Sequence, residues 1–173
     1  MNYAELKPAD IANGEGVRVS LFVSGCRRRC KNCFNGVAWD FAYGNPFDEA
    51  AQERILDLLA PDYIAGLSLL GGDPFEPENQ SALLPFLKKV RARYPHKSIW
   101  CYTGYTFSDG ALAEPQANCE ATRELISLLD VLIDGPFVEE LKDIRLKFRG
   151  SSNQRVIDVK NTLASGKVVL YLK

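Results

Sequence analysis

The sequence predicts an α/β fold with a largely parallel sheet. Through the middle of the chain, short apolar segments rich in β-branched residues alternate with amphipathic segments of helical period, which is typical of β-α-β crossovers. The 173 residues are too few for an eight-fold β/α barrel of about 250 residues, but a β/α unit takes roughly 30, so five or six units fit. Hydrophobic residues make up 46% of the chain, enough for a core. Because no repeat or linker divides the chain, we expect one domain over residues 1–173.

The first half of the chain contains two predicted strands and one helix. Residues 17–23 alternate in part and are β-branched, which indicates a strand. Residues 48–59 place apolar side chains at helical spacing, with Asp48 as a plausible N-cap. Residues 67–70 form a short apolar segment that ends at glycines, so we expect a second strand there.

The second half continues the alternation. Residues 79–94 predict a helix, in which Pro85 either kinks the helix or marks its start. The remaining predicted elements are a strand over 98–102, a helix over 119–129, a strand over 131–133, and two last strands over 156–159 and 168–172 that a turn at 164–166 could join as an edge hairpin. Residues 159–173 are therefore a possible C-terminal strand extension.

Charge and cysteine content exclude several classes of protein. The formal net charge is −1, from 21 basic and 22 acidic residues, which gives no support to general binding of nucleic acid or of a membrane surface. Residues 1–10 carry no secretory signal, and no apolar run is long enough to span a bilayer. The five cysteines are an odd number and three are clustered. That pattern favours metal or redox chemistry over disulfides, so we expect a cytoplasmic protein.

The clustered cysteines directly follow the first predicted strand. Cys26, Cys30 and Cys33 have the spacing C-x₃-C-x₂-C. Three thiolates in one flexible loop can hold three corners of a four-iron cluster and leave the fourth iron free to bind a substrate. A structural zinc site, the main alternative, needs four Cys or His ligands. The only histidine is His96, and no fourth ligand has the usual paired spacing.

A second feature follows the second predicted strand. Gly71-Gly72-Asp73-Pro74 could be a simple turn. In a parallel sheet, however, it would lie at the same edge as the cysteine loop. Glycines allow the backbone to approach a ligand closely, and strand-end carbonyls and a carboxylate are suitable acceptors for a ligand ammonium group.

Together the two motifs resemble those of the radical S-adenosylmethionine enzymes, with Asp73 in place of the glutamate of their Gly-Gly-Glu-Pro motif. Over residues 2–158 the chain resembles the activating proteins of anaerobic (class III) ribonucleotide reductase. The segments that carry this wider resemblance are 13–18, 33–35, 102–105, 134–137 and, most specifically, Arg149-Gly150-Ser151-Ser152-Asn153-Gln154.

The resemblance implies a fold, cofactors and site residues. It implies an incomplete parallel (β/α) barrel of the radical S-adenosylmethionine type, with a [4Fe–4S] cluster on Cys26, Cys30 and Cys33. It also implies that S-adenosylmethionine binds at the open iron. Many members have an aromatic residue where this chain has Asn32, so we expect adenine to contact the backbone of residues 32–34 and the Phe34 ring. The expected cofactor-binding residues are Asn32, Cys33, Phe34, Gly71, Gly72, Asp73, Pro74 and Thr103.

The resemblance also implies an activity. An electron, from a flavodoxin-type donor, would cleave S-adenosylmethionine to methionine and a 5′-deoxyadenosyl radical. The radical would take hydrogen from a glycine near the C-terminus of the anaerobic ribonucleotide reductase catalytic subunit. Three alternatives remain open: an activase of another glycyl-radical enzyme (pyruvate formate-lyase type), a small-molecule radical enzyme of the carboxy-deazaguanine synthase type, and a non-catalytic metal-binding interaction module. The basic residues of the cysteine loop are either solvated or dock an acidic reductant; they are Arg27, Arg28, Arg29 and Lys31.

Overall fold

An eight-stranded mixed sheet forms the centre of the computed structural model, which describes residues 1–172. The strands are β1 (Asn2–Asp10), β2 (Val17–Val23), β3 (Asn45–Pro46), β4 (Ile64–Gly71), β5 (Ser98–Tyr102), the small hairpin β6 (Phe107–Ser108) and β7 (Ala111–Leu112), β8 (Val131–Asp134), β9 (Arg155–Asp158) and β10 (Leu170–Leu172). The α-helices are α1 (Glu49–Leu59), α2 (Pro77–Arg93), α3 (Thr122–Ser127) and α4 (Val159–Ser165). The α/β class predicted from the sequence is confirmed.

The strand order is β10-β9-β8-β5-β4-β2-β1-β3. The four central strands β2, β4, β5 and β8 are parallel, and each lies beside the next in chain order. Antiparallel strands flank them on both sides. The parallel part is therefore smaller than the five or six units expected, because β1 and β9 reach their neighbours through connections that contain no α-helix. As far as the chain is described, the sheet does not close into a barrel.

Alternating side chains give the sheet two different faces. Val19, Leu21 and Val23 of β2 belong to the main core, which lies between the sheet and helices α1, α2 and α3. The opposite face has a smaller apolar cluster around Trp100 and a buried Arg18. Because parallel strands end at the same edge, the loops after β2, β4 and β5 meet at one end of the sheet.

The helices largely follow their sequence signals. Asp48 caps α1 as predicted, since its carboxylate accepts a hydrogen bond from the Ala51 N–H at 2.9 Å. Helix α2 begins at Pro77 and continues through Pro85. Pro85 is exposed, so water can satisfy the carbonyl that loses its helical partner there. Helix α3 is shorter than predicted. Among residues 1–172, no helix has the length and apolar character needed to cross a membrane.

The C-terminal prediction was partly wrong. Strands β9 and β10 pair antiparallel at the sheet edge, but helix α4 joins them instead of a turn at residues 164–166. Val159, predicted as the end of a strand, is the first residue of that helix. Asp158 caps α4 by accepting from the Asn161 N–H at 3.0 Å, and Gly166 ends it with φ 68°. Lys173, the last residue of the predicted C-terminal extension, lies outside the described residues.

Candidate cluster and cofactor site

A cavity of about 520 Å³ opens where the loops after β2, β4 and β5 meet. Its volume lies in the range typical of small-molecule sites. All of the site residues expected from the sequence line this cavity except Pro74: Cys26, Cys30, Asn32, Cys33, Phe34, Gly71, Gly72, Asp73 and Thr103. The topology therefore brings together two motifs that are about 40 residues apart in the chain.

The cysteine loop has an irregular backbone. Arg29 and Asn32 adopt left-handed φ values of 46° and 57°, and asparagine tolerates this conformation better than most residues. The backbone alone thus explains an asparagine at position 32, whose side chain is exposed. The Cys33 N–H donates to the Cys30 carbonyl at 3.1 Å, and all three cysteines are free and partly exposed. Burial, together with the charge of Asp73, raises the pKa of Cys26 to about 11.

The two glycines at the end of β4 make close contacts with the end of β2 and the residues that follow it. Gly71 has φ +110°, and a Cβ there would lie 2.6 Å from the Val23 backbone nitrogen. A Cβ on Gly72 would lie 2.5 Å from the Gly25 carbonyl oxygen. The Gly72 N–H donates to the Val23 carbonyl at 2.7 Å, and the Asp73 N–H donates to the Gly25 carbonyl at 2.8 Å. Because these glycines have no Cβ, the loops after β2 and β4 approach closely enough for the two backbone hydrogen bonds to join them, and both glycines also line the cavity.

Asp73 connects the β4 and β5 loops. Its Oδ1 accepts hydrogen bonds from the Phe75 N–H at 2.9 Å and the Thr103 hydroxyl at 2.8 Å, and its Oδ2 accepts from the Gly104 N–H at 2.8 Å. Burial raises the pKa of Asp73 to about 6 although these donors favour the charged form. A carboxylate has about four acceptor positions, so the three bonds leave room for one further donor.

The sequence interpretation missed Glu76, at the start of α2. Its side chain is completely buried, and its partner is Arg27 of the cysteine loop, with Arg27 Nη1 2.6 Å from Glu76 Oε2. Arg27 was expected to be solvated or free for docking, but the structure pairs it with Glu76 and Glu78. The two residues are 49 positions apart, so no local pattern could have revealed the pair.

Arg28 is also held by the fold. Its Nη1 lies 3.5 Å from Glu114 Oε1, and its guanidinium lies 5.2 Å from the centre of the Tyr105 ring. Only Arg29 and Lys31 of the four basic residues in this loop are exposed without an ion pair among residues 1–172. These two are the cations of the loop that remain accessible to a partner.

The 149–154 run forms one wall of the cavity. The Gln154 side chain accepts from the N–H groups of Gly150 and Ser151 and donates to the Gly135 carbonyl at 3.0 Å. Asn153 Nδ2 donates to the Pro136 carbonyl at 2.8 Å. The run thus fixes the loop after β8, and Arg149, Gly150 and Gln154 line the cavity themselves.

The adjoining segment 142–148 adds an apolar part to the wall, which the sequence interpretation did not assign. Ile144, Leu146 and Phe148 line the cavity. Ile144 and Phe34 are 92% and 90% exposed, more than any other large hydrophobic side chain among the described residues. Both lie at the cavity, so its mouth presents apolar side chains to solvent.

The donor set fits an iron–sulfur cluster with a polar organic ligand. Three free cysteines from one loop face the cavity and are soft donors of the kind such clusters use. The hydroxyl of Tyr102 and the Nε of Arg28 are buried at the cavity with no hydrogen-bond partner in residues 1–172. A ligand with acceptor oxygens would satisfy them. The described part of the chain contains no group of three His, Cys, Asp or Glu side chains arranged for a single metal ion.

Comparisons with known proteins agree with this donor set. The family model of the 4Fe-4S single cluster domain matches residues 12–157. The anaerobic ribonucleoside-triphosphate reductase-activating protein of Pasteurella multocida (strain Pm70) is 46% identical over 156 residues, 89% of this chain and 95% of that protein. The protein of the same name from Escherichia coli (strain K12) is 42% identical over 158 residues, covering 90% and 97% of the two chains. The one from Enterobacteria phage T4 is 38% identical over 156 residues, covering 90% and 93%.

The resemblance found in the sequence is thereby confirmed at the level of the family. The family model covers more than half of the chain, and the relatives match almost all of it. The chain belongs to the family of anaerobic ribonucleoside-triphosphate reductase-activating proteins and contains a 4Fe-4S single cluster domain.

Proposed function

We propose that this protein activates an anaerobic ribonucleotide reductase by reductive cleavage of S-adenosylmethionine at a [4Fe–4S] cluster. The observation that carries the proposal is the convergence of Cys26, Cys30 and Cys33 with the Gly71-Gly72-Asp73 turn on one cavity. A bound, reduced cluster would supply the electron for cleavage of S-adenosylmethionine to methionine and a 5′-deoxyadenosyl radical, and this radical would take a hydrogen atom from a glycine Cα of the reductase. This hydrogen transfer yields 5′-deoxyadenosine and a glycyl radical.

The residues around the cavity bind and orient these groups. Cys26, Cys30 and Cys33 would be the three cluster ligands, which would leave one iron for the cofactor. The free acceptor position on Asp73 and nearby strand-end carbonyls receive the ammonium group of the methionine moiety. Thr103 takes part by holding Asp73 in place, because its hydroxyl donates to Oδ1. The protein thus contributes orientation, and the cofactor contributes the difficult bond cleavage.

The rest of the cofactor is held by other groups that line the cavity. We place the adenine against the backbone of residues 32–34 and the exposed Phe34 ring. The unpartnered Arg28 Nε and Tyr102 hydroxyl are suitable donors for carboxylate or ribose oxygens. Pro74 does not line the cavity, so its part is to shape the turn that presents Asp73.

An open fold suits a protein substrate. We interpret the consecutive parallel strands β2, β4, β5 and β8 as an incomplete (β/α) barrel that forms a single domain. The exposed Phe34 and Ile144 at the mouth support a polypeptide partner, because apolar side chains at such positions are typical of interfaces. We propose that the partner is the glycine-bearing C-terminal region of the reductase catalytic subunit. Exposed Arg29 and Lys31 support docking of an acidic, flavodoxin-type electron donor.

The proposal can be tested with purified, anaerobically reconstituted protein. About four irons and four sulfides per chain are expected, with loss of iron in Cys30→Ala. Addition of reductant, S-adenosylmethionine and the reductase should yield 5′-deoxyadenosine and a glycyl-radical doublet in the electron paramagnetic resonance spectrum. Stoichiometric zinc without sulfide would instead indicate a binding module. A doublet that arises only on a pyruvate formate-lyase-type enzyme would assign a different partner.

A further inference from the structure

Glu76 is a buried carboxylate that accepts three hydrogen bonds. It has no exposed surface. Its Oε1 accepts a hydrogen bond from the Arg27 backbone N–H at 2.7 Å and another from the Tyr105 hydroxyl at 3.0 Å. Its Oε2 accepts from Arg27 Nη1 at 2.6 Å. Glu76 therefore joins the cysteine loop, the start of α2 and the loop after β5 at one point.

The guanidinium of Arg27 is held on its other sides as well. Glu78 Oε2 lies 2.9 Å from Nη1, and the guanidinium stacks 4.5 Å from the centre of the Phe41 ring. A buried carboxylate is tolerated only when a cation and hydrogen bonds compensate it, so Glu76 and Arg27 depend on each other. Because the bond from Glu76 to the Arg27 backbone lies next to Cys26, this pair constrains the first cysteine of the loop directly.

We propose that Glu76 is a positioning residue for the cluster, acting through Arg27. It fixes Cys26 relative to the β4 loop, and together with Glu78 it neutralises the guanidinium beside the cysteines. The inference rests on the proposed function only in requiring that the three cysteines bind a cluster. Two consequences follow from the removal of the Glu76 charge.

The first consequence is weaker retention of iron. Without the ion pair between Glu76 Oε2 and Arg27 Nη1, the Arg27 side chain no longer holds Glu76 firmly against the backbone next to Cys26. The second is a less negative reduction potential. Reduction adds negative charge to the cluster, and a guanidinium with one carboxylate partner fewer stabilises the reduced form more strongly. A residue that serves only global stability would not move the potential in this direction.

The experiment compares Glu76→Gln with Glu78→Gln in the anaerobically reconstituted full chain. Both variants remove one carboxylate from the same guanidinium, but the Glu78 side chain is 53% exposed, and solvent screens its charge. Three quantities are measured: iron and sulfide per chain, the rate of iron loss to a chelator, and the midpoint potential followed by electron paramagnetic resonance. For Glu76→Gln we expect several-fold faster iron loss and a less negative potential, and for Glu78→Gln values close to those of the wild type.

Circular dichroism of the apoproteins shows whether each variant folds. If Glu76→Gln does not fold, Arg27→Lys serves instead, because it keeps the cation but cannot bind both carboxylates in the same fork geometry. Wild-type iron retention in the folded variant would overturn the inference. A wild-type potential in Glu76→Gln, or equal changes in Glu78→Gln, would overturn it as well. A wild-type chain that takes up no iron or sulfide would refute the proposed function itself. A Glu76→Gln variant that takes up a cluster and behaves like the wild type would refute only the role of Glu76.

Discussion

Asp73 is fully buried, so replacing it with asparagine should change how the stability of the chain depends on pH. Burial raises its pKa from 3.8 to about 6 in the folded protein. Between these two values the folded chain holds a proton that the unfolded chain has released. Asp73 therefore contributes stability below pH 3.8, and this stability is lost as the pH rises through 6.

The size of the effect follows from the two pKa values. One pKa unit corresponds to about 1.4 kcal/mol, so the carboxyl group of Asp73 should lower the free energy of unfolding by about 3 kcal/mol across this window. Asp73→Asn has no such group. Its amide nitrogen faces one of the three donors that surround Asp73, which costs about 1–3 kcal/mol at every pH. The free energy of unfolding of Asp73→Asn, measured relative to that of the wild type, should therefore rise by nearly the full amount of about 3 kcal/mol between pH 4 and pH 7.

Urea unfolding of the reduced apoprotein at several pH values measures this difference. Asp143→Asn is a suitable control, because hydrogen bonds from Arg145 lower the pKa of the partly exposed Asp143, so the sign of its effect is opposite. A difference between wild type and Asp73→Asn that stays constant from pH 4 to 7 would refute the reasoning. It would mean that the three hydrogen bonds fully offset the effect of burial on the pKa of Asp73.

Three further outcomes are expected. Gly72→Ala should destabilise the apoprotein by about 1–3 kcal/mol in urea unfolding, because its Cβ would lie 2.5 Å from the carbonyl oxygen of Gly25 in the cysteine loop. Gly36→Ala, whose Cβ would have no atom nearer than 3.9 Å, is the control. Phe34→Ala should leave the free energy of unfolding within about 0.5 kcal/mol of wild type, since the ring is 90% exposed, and should weaken binding of the reductase in a titration. Cys30→Ala should lose iron on reconstitution, whereas Cys101→Ala should keep it, because Cys101 is buried in the main core; equal iron loss in both would contradict the ligand assignment.

Local patterns were sufficient for the central elements. Strand β2, helix α1 with its Asp48 cap, and strands β4, β5 and β8 lie where the sequence predicts them, because period and capping act over a few residues. Helix α4 was missed although Asp158 and Gly166 are capping residues at suitable positions. Those signals were in the sequence and could have corrected the predicted turn.

Strand β1 is a different case. Its residues are mostly half-buried or exposed, so the segment carries no strong apolar alternation. It is a strand because it pairs along β2 and β3, and such pairing depends on partners outside the segment.

The sequence by itself determined which donor groups meet at the site. Three cysteines in one loop and a Gly-Gly-Asp turn after a later strand are local features, and the order of parallel strands is enough to bring them to one edge. Only the tertiary structure decided what surrounds them. The partners of Asp73 on the β5 loop and the pairing of Glu76 with Arg27 join residues 30 to 50 positions apart. Such contacts depend on how the loops pack in three dimensions, and the burial that makes them strong exists only in the folded chain.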